Sequence, residues 1–116
     1  MSDIRETMST ALRSVYSNSW LVELPPEPTF PAIVFRVDTE QEEQWCFEGG
    51  YDQHLVSVVL LSRDADWFPT IAASVVSALE ALPSYMFEES RGDGEYEDDP
   101  EVFAFAILFR LRTPRY

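Results

Sequence analysis

Lysine is absent. All 8 basic residues are Arg, they stand against 21 acids, and the formal net charge is −13. A chain of that sign is ill suited to gripping nucleic acid through clustered cations or to docking on anionic lipid. Cysteine and histidine occur once each, as Cys46 and His54. A single Cys excludes an internal disulfide and a Cys-built metal site, and a single His leaves little for a catalytic triad or a zinc centre. No apolar run approaches the ~18 residues of a membrane span. Met1–Glu6 is polar and reads as lacking a signal-peptide core. Residue chemistry alone therefore points to no active site, no cofactor and no bound metal.

What is present is a core. With 116 residues, 46% hydrophobic and 14% aromatic, the chain reads as one globular domain over 1–116. Ile4, Met8, Ala11, Leu12 and Val15 recur at helical spacing. Asp3 with Glu6, or Ser2, is the expected cap. Ser17-Asn18-Ser19 is loop chemistry. Four prolines between Pro25 and Pro31 then forbid a helix and a central strand, leaving a stiff extended connector.

Ala32–Val37 alternates as a strand, with Ile33, Phe35 and Val37 on one side. Asp38–Glu43 reads as an acidic loop or hairpin end, Gln44–Glu48 as a short strand carrying Trp45 and Phe47, and Gly49-Gly50 as a turn. His54–Ser62 is nearly continuous in apolar residues, and Val56, Val58 and Val59 favour a central strand covered on both faces. Asp64 or Asp66 caps a second helix running to about Leu82, with Pro69 in its first turn and Pro83 ending it. Its buried stripe is Phe68, Ile71, Ala72, Val75, Leu79 and Leu82. The small residues Ala72, Ala73, Ser74, Ser77 and Ala78 would let it approach a sheet closely.

Between Glu88 and Glu101 stand eight acids and one Arg. Arg91-Gly92-Asp93-Gly94 reads as a turn there, within a ragged hairpin or a flexible excursion. Val102–Arg112 is the clearest strand, with Phe103, Phe105, Ile107, Phe109 and Leu111 making a floor for the helices. The sum is an α+β, two-layer fold: an antiparallel or mixed sheet of about four or five strands, with an N-terminal and a central helix packed on one face.

Three constellations bear on function. Cys46 and His54 could be a nucleophile and its base, but no motif supplies an orienting acid or an oxyanion donor, and a buried thiol with a structural His is the simpler reading. Asp93, Glu95, Glu97, Asp98 and Asp99 resemble calcium ligands in composition, yet lack the spacing of a calcium loop; a solvated charge run accounts for them. Arg110, Arg112 and Arg115 make a cationic end in an acidic chain, either a solvated strand end or a contact for an acidic surface of an identical neighbour. The overall charge has two uses. It repels DNA that must slide past, or it mimics a phosphate track and inhibits a DNA-binding enzyme.

The order of elements resembles the tail-terminator and tail-completion proteins of long-tailed bacteriophages and prophages. The resemblance lies in the short N-terminal helix, the Leu24-Pro25 to Pro31-Ala32-Ile33-Val34-Phe35 entry, Gly49-Gly50 to Val59, the helix Ala72–Leu82 and the strand Phe105–Arg110. It implies a virion protein of the tail or neck, assembled in the host cytoplasm. Such a protein forms a ring, usually of six copies, that caps the tail-tube protein, meets the head–tail connector or stopper, and lets DNA pass without specific binding. It implies no catalysis and no membrane. Another neck component fits the same pattern. Within it, Asp38, Glu40, Glu42, Glu43, Glu95, Glu97, Asp98 and Asp99 are expected at subunit or partner contacts, with Arg110, Arg112 and Arg115 as their cationic counterparts.

Overall fold

The computed structural model describes residues 4–24, 26, 28–41, 51–96 and 99–114. Several expectations fall outside the described residues: the caps Ser2 and Asp3, the strand and turn across 42–50 with Glu42, Glu43 and Cys46, and Glu97, Asp98 and Arg115. Of Glu40 and Glu95 the backbone alone is described.

Among the described residues, α1 (Ile4–Val15) and α2 (Phe68–Glu80) cover one face of a five-stranded mixed sheet of order β1-β2-β3-β5-β4. The strands are β1 (Ser19–Leu21), β2 (Ala32–Gln41), β3 (Tyr51–Ser62), β4 (Tyr85–Glu95) and β5 (Phe103–Pro114). The expected two-layer α+β architecture is therefore present.

Apolar period decides the main core. Met8 and Leu12 of α1 and Val75 and Leu79 of α2 are fully buried against Ile33, Phe35, Val56, Val58, Leu60, Ile107, Phe109 and Leu111. These sheet residues all share one face, because successive side chains in a strand alternate. Phe68 stacks on Phe105 at 6.0 Å, and Trp67 meets Tyr16 edge-on at 5.3 Å. Asp64 Oδ1 accepts the Asp66 N–H at 3.0 Å and caps the short 3-10 turn Ala65–Trp67; α2 itself starts from Trp67, which makes no side-chain cap, so neither Asp64 nor Asp66 caps that helix directly.

Several expectations need correction. At Asp38–Glu43, where a loop or hairpin end is expected, Asp38–Gln41 is not a loop but the end of β2, paired antiparallel with Asp52–Leu55, because β3 supplies a long partner ladder. Ser19 does not end as loop but opens β1, parallel to Ile33–Phe35. Asn18 holds that start: its amide donates to the Thr29 and Pro31 carbonyls at 2.8 and 2.9 Å, and its Oδ1 accepts from Trp20 Nε1 at 2.6 Å. Arg91-Gly92-Asp93-Gly94 is not a turn but mid-strand β4, paired with Ile107–Ala104; a Cβ at Gly92 would meet open space. In α2, Ala73, Ser74 and Ser77 face solvent and Ala78 is half-buried, so of the small residues Ala72 alone is buried in the core. Phe103 is 53% exposed, because α2 does not reach that end of the sheet floor.

The second sheet face is only partly covered, so β3 is not buried along its whole length on both sides. Leu24 and Phe30 of the proline-rich segment pack there with Tyr96 on Val34, Val59, Leu61, Val102 and Ala104. Arg63 clasps this end: it pairs with Asp99 at 2.6 Å and Glu101 at 3.3 Å, and its guanidinium lies 5.6 Å from the centre of the Phe30 ring.

Candidate functional site

The uncovered part of that second face and the two sheet edges hold the surface features with functional potential. Sheet register sets them in rows. Arg36, Ser57, Leu108 and Ser90 are successive cross-strand partners, and Asp38, Leu55, Arg110 and Phe87 form the next row on the same face. Paired residues project to the same side. The expected interface residues Asp38 and Arg110 are thus brought to one end of one face, two strands apart.

Arg110 already has an acid. Its Nε donates to Glu89 Oε1 at 3.2 Å, so the acidic stretch meets the cationic strand within a single chain. Glu88 is held by Arg91, and that hydrogen bond, outweighing burial, keeps its carboxyl below the ordinary range. Asp99 is lowered too, first by the Glu101 N–H and then by Arg63. It belongs to the clasp under the proline-rich segment, away from Asp38 and Arg110, and the expected acidic cluster is divided accordingly. Asp38 and Arg112 are exposed.

His54 is 3% exposed, with Nδ1 2.8 Å from Thr39 Oγ1 and Nε2 2.8 Å from Thr113 Oγ1. Both ring nitrogens are engaged by neighbouring strands, a structural arrangement that ties β2, β3 and β5 together. Cys46, its supposed partner, lies outside the described residues. Among the described residues no three His, Cys, Asp or Glu side chains gather to hold a metal ion, and no helix is long and apolar enough to cross a membrane.

Sequence reasoning missed the edges. Large apolar side chains are exposed at both: Trp20, Leu21 and Val22 at β1, Met86 and Phe87 at β4. They lie in the short apolar runs Trp20-Leu21-Val22 and Tyr85-Met86-Phe87, which carry no sign of exposure until the fold places them at a sheet edge.

Neither a protein-family model nor a curated protein matches the sequence. The fold is similar to a solved chain from the virion of a native gene transfer agent particle, with a TM-score of 0.65 and 15% identity, covering 89% of this chain and 84% of that one. At that identity the likeness shows a shared fold.

Proposed function

We propose that this chain is a structural virion protein of the tail-terminator kind. Copies of it close into a ring, six being the family's usual number. The ring caps the finished tail tube and offers a new face to the head–tail connector or stopper. The observation that carries this reading is the near full-length match of folds with a virion chain; the element order seen in the sequence supports it. The protein acts by geometry, without catalysis.

The charge fits the role. A wall at −13 without Lys does not hold phosphates, so DNA slides past it. Contacts between copies draw on the acids Asp38, Glu40, Glu42, Glu43, Glu95, Glu97, Asp98 and Asp99 and on Arg110, Arg112 and Arg115, with Arg110 shared with its own Glu89.

The test is mass in solution at rising protein concentration, alone and with tail-tube protein. Rings that bind tube ends are expected. A monomer at every concentration that never binds tubes overturns the reading.

A further inference from the structure

The two edges of the sheet differ, and they match each other. At one edge β1 stops after three residues, leaving β2 from Arg36 onward without a neighbour on its outer side among the described residues. The stop is built in. Glu23 N–H donates to the Leu21 carbonyl at 2.8 Å across Val22, whose φ is 71°, and this tight turn sends the chain away from the sheet. Beyond it lies a hollow of about 390 Å³ lined by Arg5, Leu21, Val22, Arg36, Val37 and Asp38.

At the other edge β4 carries two bulges, which leave Met86 and Glu89 without an opposing residue on β5. A bulge re-aims the side chain it inserts. The result is a knob: Met86 and Phe87, 39% and 47% exposed, beside Glu89. From 85 to 95 this edge has four acids and one Arg.

Knob and hollow lie at the same height. Phe87 is in the row of Asp38, Glu88 in that of Val37, and Ser90 in that of Arg36. Turning one copy about an axis along the strands therefore brings its knob level with the hollow of the next.

We infer that copies of this chain join head to tail, with Met86, Phe87 and Glu89 on the bulged β4 edge of one seated against Leu21, Val22 and Arg36 at the end of β1 in the next. Side chains carry the contact, because the bulges interrupt any continuous ladder. Phe87 and Met86 fill the apolar part of the hollow. Glu89, a carboxylate with room for more than one donor, accepts the neighbour's Arg36 while keeping Arg110. Two different patches on opposite sides of one subunit make a heterologous contact, which closes into a ring when the rotation permits. The inference rests on the self-assembly proposed above.

The experiment compares wild type, Arg36→Glu, Phe87→Ser and the double variant Arg36→Glu/Glu89→Arg by sedimentation over a concentration series, with circular dichroism to verify folding. Wild type assembles, each single variant weakens assembly by about tenfold or more, and the charge-swapped double variant regains part of it. Single variants that assemble like wild type overturn this interface and leave the ring reading standing, as does a folded double variant no better than Arg36→Glu. A wild type that stays monomeric, also with tube protein, overturns both.

Discussion

The Glu23 N–H and the Leu21 carbonyl, 2.8 Å apart, close a three-residue turn around Val22 at φ 71°. A β-branched residue in that region is strained by roughly 1–2 kcal/mol. Val22→Gly should relieve most of this strain, offset in part by the greater freedom of glycine in the unfolded chain. The expected net gain is about 0.5–1 kcal/mol in urea unfolding. The same variant removes an apolar wall of the β1 hollow, so it should stabilise the monomer while weakening association.

His54 is expected to matter for stability. Thr39→Val and Thr113→Val each remove a hydroxyl from one of its ring nitrogens. A buried polar group that loses a partner costs about 1–3 kcal/mol. Each variant should lower the midpoint of chemical unfolding, and an unchanged midpoint in both would show that the histidine finds its hydrogen bonds elsewhere.

Glu88 and Asp99 make stability depend on pH in a stated direction. Both carboxyls are lowered in the folded chain, Glu88 chiefly by the Arg91 hydrogen bond and Asp99 chiefly by the Glu101 N–H. Their contribution is complete above the unfolded values of about 4.3 and 3.9. It is lost as pH falls through the depressed folded values. Glu88→Gln and Asp99→Asn should therefore be less stable than wild type near neutral pH and converge with it in acid. Urea titrations at several pH values read the difference.

α2 separates core from surface residue by residue. Leu79 is fully buried, whereas Ser77 faces solvent. Leu79→Ala should cost about 2–5 kcal/mol, and Ser77→Ala should stay within about 0.5 kcal/mol of wild type. A large loss at Ser77 would place the small residues of the helix in a packing role after all.

Self-repulsion sets a salt response. At −13 the folded chain gathers like charges into a compact volume, and screening acts over about 10 Å at 0.1 M salt. Thermal melts from low to moderate salt should shift upward. A downward shift would mean that the surface pairs of Arg63, Arg91 and Arg110 outweigh repulsion across the molecule.

Much of the fold was legible because its signals are local. Met8 and Leu12 are four residues apart on one helical stripe, and Ile107, Phe109 and Leu111 alternate on one face of a strand. Each pattern names its own buried side without reference to the rest of the chain. Asp64 was legible as a capping residue for the same reason, though it caps the 3-10 turn ahead of α2 and not the helix itself. The acidic β4 was not. Residues 88–95 contain four acids and two glycines, poor strand formers by themselves, and they are a strand because β5 provides the ladder.

The sequence by itself determined the apolar faces of the helices and of the central strands and the sign of the charge, since each depends on residue type and short-range period. Tertiary structure alone decided which strands stand at the edges, that β2 outruns β1, that Glu89 meets Arg110, and that Phe87 and Arg36 stand at nearly the same height on opposite edges. Those relationships join residues tens of positions apart, and pairing register, which no local pattern encodes, brings them into line.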